Sequence, residues 1–158
     1  MIHSALFQQE SEAMFKKLYQ LSYGLLKNHA DSEDAVQQGF MKAWTARNRA
    51  DASYFRPWLT RIVINECRNI QRHRARVNPA EEVPAVQHDD SGFSLVMEAL
   101  GHLAEKYQTV FSMKYITGHT EKEIAVALHL PVSTIKNRLT KARALMREGL
   151  NDREVSFE

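Results

Sequence analysis

Asn65 and Asn69 stand one helical turn apart in a stretch rich in arginine. From Arg56 to Arg76 there are six arginines and one acid, Glu66. At 100° per residue, Arg61, Asn65, Arg68 and Arg72 fall within about 60° of one another, with Asn69 beside them and Trp58 at the border of the face. Leu59, Ile62, Val63, Glu66 and Ile70 fall opposite. Guanidinium groups neutralise phosphates. Side-chain amides hydrogen-bond to base edges, and a tryptophan at the border can stack on an unpaired base. A solvated helix face can carry the same charges, so this stretch alone only leans towards nucleic acid.

A second constellation is sharper. Residues 120–145 read as helix, short turn, helix. Thr120 and Glu123 have the spacing of a capping box before the first helix. Ala125 is small where a second helix must cross closely, and Leu128, Leu130 and Val132 can wedge the turn. His129 stands where such turns often place glycine, and histidine tolerates a left-handed backbone better than most residues. Ser133 can cap the second helix, with Thr134 following it. Ile135, Leu139, Ala142 and Leu145 with Met146 form its apolar stripe. Lys136, Asn137, Arg138, Thr140, Lys141 and Arg143 occupy its other faces. Between Ser133 and Arg147 there are five basic residues and no acid. This is the layout of a helix-turn-helix whose second helix enters a DNA major groove.

Catalytic chemistry finds no support. The histidines lie at 3, 29, 73, 88, 102, 119 and 129, without the spacing of a helical metal site. No cofactor, metal site or catalytic residue is therefore expected. Cys67, the one cysteine, excludes an intrachain disulfide and reads as a buried, inert thiol. The six glycines are scattered and form no phosphate loop.

The elements that must carry these residues follow from the rest of the 158-residue chain. Residues 1–75 hold 11 Lys/Arg and 7 Asp/Glu; residues 76–92 hold 1 and 4; residues 93–158 hold 9 and 8. The acidic middle stretch contains Pro79 and Pro84 and has no apolar periodicity, so it reads as a linker. The expected fold is all-α: a helical domain over 1–75, a flexible acidic linker over 76–92, a helix-turn-helix domain over 93–151 and a tail over 152–158. Both domains are near the lower size limit for independent folding. Phe7, Met14, Leu18, Leu21 and Leu25 predict a first helix ending near Asn28. Asp31 can cap a second, whose apolar stripe is Val36, Phe40, Ala43 and Trp44. A third runs from about Phe55 to Arg74 with Pro57 in its first turn. Further helices are predicted near 94–104, 106–116, 121–129 and 134–148, and no strand is expected. No transmembrane run or secretory leader is visible, so a cytoplasmic chain without membrane insertion is expected.

Four stretches together resemble the bacterial extracytoplasmic-function (ECF) sigma factors, the two-domain class. They are Asp31-Ser-Glu-Asp-Ala-Val-Gln-Gln-Gly-Phe-Met-Lys-Ala-Trp44, Phe55-Arg-Pro-Trp-Leu-Thr-Arg-Ile-Val-Ile-Asn65, Thr120-Glu-Lys-Glu-Ile-Ala125 and the run from Val132 to Arg143. Gln38 and Gly39 stand where the family commonly has Glu-Thr, and Leu103-Ala lacks its usual Leu-Pro. The resemblance implies a transcription initiation subunit that binds the clamp and flap regions of RNA polymerase core and promoter DNA, with an anti-sigma factor as a further partner. Asp34, Gln37, Gln38, Phe40 and Met41 would dock on polymerase. Trp58, Arg61, Asn65, Arg68, Asn69 and Arg72 would hold the −10 element. Ser133, Thr134, Lys136, Asn137, Arg138, Thr140, Lys141 and Arg143 would bind the −35 element, with Asn137 on adenine and Arg138 and Arg143 on phosphates. Two other readings stay open: a DNA-binding regulator in which residues 93–150 bind DNA and the first domain senses a ligand or partner, and a helical interaction protein that binds no DNA.

Overall fold

The computed structural model describes residues 2–77 and 92–151. Among the described residues there are seven α-helices: α1 (Ser4–Leu26), α2 (His29–Thr45), α3 (Phe55–Val77), α4 (Phe93–Gly101), α5 (Glu105–Phe111), α6 (Glu121–Leu128) and α7 (Val132–Asn151). No strand occurs among the described residues. The linker prolines Pro79 and Pro84 and the 152–158 tail lie outside the described residues, as does most of the 76–92 stretch.

α1 ends on Lys27, whose left-handed backbone (φ 57°) turns its N–H back onto the Tyr23 carbonyl at 2.7 Å. The next helix starts earlier than the sequence predicts. Asn28, not Asp31, is its cap: Asn28 Oδ1 accepts the Asp31 N–H at 2.9 Å. Asp31 lies in the first turn, where its charge complements the helix dipole, and its carboxylate pairs with Arg74 of α3. Two short 3₁₀ turns bridge α2 to α3, the second begun by Asp51 accepting the Ser53 N–H at 2.9 Å.

Ile2, Met14, Leu18, Val36, Ala43, Ala50, Phe55, Leu59 and Val63 fill the core between α1, α2 and α3. Gly39 is the point of closest approach. A Cβ there would lie 2.7 Å from Val63 Cγ2 and 3.3 Å from Val63 Cα, so only glycine lets α2 sit this near α3.

The second core crosses the division drawn from charge. Leu21, Leu25, Leu26, Ala35, Ile64 and Cys67 of the first unit join Met97, Leu100, Val110, Met113, Ile124, Ile135, Leu139, Ala142, Met146 and Leu150 of the second in one cluster. Gly24 forms a socket for Met97, whose Cγ would lie 2.7 Å from a Cβ at that position. The two units therefore dock through apolar side chains, as two small domains with little core of their own favour.

In the second unit the expected 106–116 helix is present but changes pitch part-way. α5 stops at Phe111 and a π-turn, Ser112–Ile116, follows. Thr117 and the left-handed Gly118 (φ 77°) close it, and His119 N–H reaches back to the Met113 carbonyl at 2.8 Å. Both bonds of the Thr120/Glu123 capping box are present, at 2.9 and 3.1 Å. His129 is left-handed (φ 56°, ψ 44°), as its place in the turn predicts. α7 starts at Val132, one residue before the expected cap. Ser133 therefore lies inside the first turn, and the Pro131 carbonyl takes the Ile135 N–H at 3.2 Å. Proline cannot continue α6 but suits the start of a helix.

Candidate nucleic-acid interface

α3 is covered on two sides, which the sequence does not show. One side carries Leu59, Val63 and Glu66 into the first unit, where Glu66 pairs with Lys42 of α2. The other side meets the second unit through polar groups. Thr60 Oγ1 lies 2.9 Å from His119 Nε2. Arg61 Nη1 donates to the Ala127 carbonyl at 3.0 Å. Arg68 Nη2 donates to the Glu105 carbonyl at 2.9 Å and to Thr109 Oγ1. Arg72 Nη2 donates to Glu105 Oε1 at 3.3 Å.

The wheel placed Arg68 on an open face with Asn65. In the structure it is only 9 % exposed. The shift has a physical reason: a guanidinium can be buried when carbonyl and hydroxyl acceptors meet it, and those acceptors belong to the second unit. The match is incomplete, for Arg68 Nε makes no hydrogen bond and lies 3.7 Å from Glu105 Oε2.

Between the two covered sides runs an open strip. Asn65, Asn69 and Arg72 are exposed, and Trp58 and Arg61 are half-buried. Trp58, Asn65 and Asn69 line a cleft of about 1040 Å³ with Tyr54 and Arg49 from the α2–α3 connection and His129 from the second unit. Amide, aromatic and cationic groups converge there on one concave surface, the chemistry that holds an unpaired base and its phosphate. Gln38 and Met41 of α2 line the same cleft. Asp34, Gln37, Gln38 and Met41 are exposed (Met41 at 62 %), whereas Phe40 is half-buried with its ring edge-on to Phe15.

α7 presents its predicted faces. Ile135, Leu139, Ala142 and Met146 are buried. Ser133, Lys136, Asn137, Thr140 and Lys141 are exposed, and Thr134, Arg138 and Arg143 are half-buried. Sequence reasoning missed Tyr115. The π-turn puts its ring at the surface, 48 % exposed, where its hydroxyl accepts from Arg143 Nη1 at 3.1 Å. Thr140 Oγ1 accepts from the other Arg143 nitrogen at 3.3 Å. Arg143 is thus held in place by two side-chain oxygens. Only the turn's extra residue brings Tyr115 to α7, and no spacing in the sequence marks it.

Cys67 is buried, and desolvation pushes its thiol up to about 11, so it stays protonated and unreactive at neutral pH. Among the described residues no cluster of His, Cys, Asp or Glu could hold a metal ion, and no helix is long and apolar enough to cross a membrane.

Residues 12–77 match the family model for sigma-70 region 2, and residues 93–146 match that for sigma-70 region 4. ECF RNA polymerase sigma factor SigW of Bacillus subtilis (strain 168) is 30% identical over 157 residues, which covers 86% of this chain and 84% of SigW. Two solved structures share the fold. One is the sigma factor RpoE in complex with the anti-sigma factor NepR from Bartonella quintana, with TM-score 0.74, 25% identity and coverage of 92% of this chain and 96% of that one. The other is CnrH in complex with the cytosolic domain of CnrY, with TM-score 0.71, 27% identity and coverage of 92% and 88%.

Proposed function

Because the chain belongs to the ECF family of RNA polymerase sigma factors and so directs promoter recognition, we propose that α7 reads the −35 element as duplex and that the α3 cleft holds the −10 element as a single strand. One observation carries this reading: an acid-free helix-turn-helix face and a cleft lined by tryptophan and two asparagines occur on one chain. Opening a duplex costs a few kcal/mol per unpaired base, so the open form needs a site that acts only on the extruded base. Asn65, Asn69 and Trp58 supply it, while Arg61 and Arg72 beside them hold the strand backbone. α2 docks on the polymerase clamp through Asp34, Gln37 and Gln38 with Phe40 and Met41, and the second unit meets the flap. The chain performs no covalent step, needs no cofactor and works in the cytoplasm with the polymerase. The sigma factors it resembles were solved bound to NepR and CnrY, which supports an anti-sigma partner here. In-vitro transcription with core polymerase on a genomic fragment library tests the reading. Promoter-specific transcripts are expected, and failure to bind core would overturn it.

Base and phosphate contacts on α7 should separate cleanly. Asn137→Ala should weaken −35 binding by about 1–3 kcal/mol and relax specificity at one or two base pairs. Arg143→Ala should weaken all sequences alike and lower the salt slope by about one counterion. Tyr115→Phe should act in the same sequence-independent way but more weakly, because it removes only the group that aims Arg143. Titrations of variant operators at several salt concentrations distinguish the three.

A further inference from the structure

We propose that His119 is an acid-sensitive catch between the two units: neutral, it lets the second unit seat on α3; protonated, it releases it. The consequence for DNA rests on the reading of α3 given above, but the test does not.

His119 is 5 % exposed and held by its own N–H bond to Met113. Across the boundary, its Nε2 faces Thr60 Oγ1 of α3. The Thr60 hydroxyl proton goes to the Arg56 carbonyl at 2.9 Å, so its oxygen is left to accept from Nε2–H. The neutral ring is then complete, and acid must add the second proton at Nδ1 in a buried place. Three charged groups act on the ring: Lys17 of α1 and Arg56 of α3, which oppose a positive charge, and Glu123 of α6, which favours one. Arg56 is itself paired with Glu10 of α1. Burial and the two cations prevail over Glu123, and the ring is pushed down to about 4.

The ownership of these groups makes the site a switch. Lys17, Arg56 and Thr60 all belong to the first unit and leave when the units part. Glu123 belongs to the second unit and stays beside the ring, and water returns. The open ring therefore titrates in the ordinary imidazole range, near 6.5. Closure is fully favoured above about pH 6.5, where the ring is neutral in both forms, and is lost as the pH falls towards 4, where only the open form takes up the proton readily. At pH 5 the closing equilibrium should fall about 30-fold from its neutral value. The Arg61–Ala127 and Arg68–Glu105 carbonyl contacts contain no group that titrates in this range. Release would free Arg61, Arg68 and Arg72 together for a DNA strand.

The full-length chain labelled with a fluorophore pair at Asn48→Cys and Glu148→Cys reports the separation of the units by single-molecule energy transfer; both positions are exposed and Cys67 is buried. The open-to-closed ratio should rise about 30-fold between pH 7.5 and pH 5. His119→Gln, which keeps a neutral donor, should hold the ratio flat over the same range. No opening of the parent chain, or equal opening of His119→Gln, overturns the proposal. If the glutamine variant does not fold, titration of the parent's His119 ring by NMR decides. A midpoint below pH 5 is expected in the closed chain, and one near 6.5 overturns the catch. Transcription with core polymerase at pH 7.5 tests the sigma reading separately, since His119 is neutral there in both forms.

Discussion

Replacing Asn65 and Asn69 together with alanine should leave polymerase binding and closed-complex formation intact and lower open-complex formation about a hundredfold or more. Each amide pair on a base edge is worth about 1–3 kcal/mol, and both are lost at the step where the base leaves the stack. The defect should shrink on a template already mismatched over the −10 element, because base stacking no longer opposes extrusion there. Arg61→Ala should lose activity on both templates, since a phosphate contact is still needed once the strands are apart. Permanganate reactivity of −10 thymines on paired and mismatched DNA measures each case. Normal reactivity of the double variant on fully paired DNA would return this strip of α3 to a plain solvated surface.

Ile64→Ala should cost about 2–5 kcal/mol, and its effect should reach beyond the helix that carries it. Ile64 is 1 % exposed and sits in the cluster shared by the two units, not in the core between α1, α2 and α3. The parent chain should unfold in one cooperative thermal transition at neutral pH. The variant should show two, with the second unit melting first by about 4–8 °C for each kcal/mol of docking lost. Leu59→Ala, in the other core, should lower the first unit's transition and leave docking less affected. Calorimetry separates the outcomes. A single transition in Ile64→Ala, shifted as in Leu59→Ala, would mean that docking contributes little to stability.

What the sequence makes legible is what local chemistry dictates. The capping box at Thr120, the left-handed His129, Pro57 in a first turn and the stripe of α7 are each decided within a few residues, and each stands in the structure as read. The Asn28 cap is a near miss of the same kind: two cap-competent side chains lie three residues apart, and Asn28 accepts the N–H of the other, Asp31. Arg68 and Thr60 were illegible for a deeper reason. A helical wheel sorts side chains by hydropathy and assumes one buried face, whereas α3 has a second, formed by polar groups whose hydrogen-bond partners come from Glu105, Thr109 and His119 far along the chain. Tyr115 escaped because a π-turn shifts the register of every residue after Phe111. The candidate DNA residues were thus nameable from sequence, but the partner already occupying three of the arginines was not.

The socket at Gly24 has a genetic consequence. Any side chain there meets Met97, and every change in the first two bases of a glycine codon introduces a side chain or a stop. Alanine, the smallest, is one base away, and it wedges the α1–α4 contact without touching a residue proposed to read DNA or meet polymerase. On the proposal that parting the two units frees the α3 arginines for DNA, residue 24 is therefore where a selection for constitutive expression of this factor's own targets should gather gain-of-function alleles.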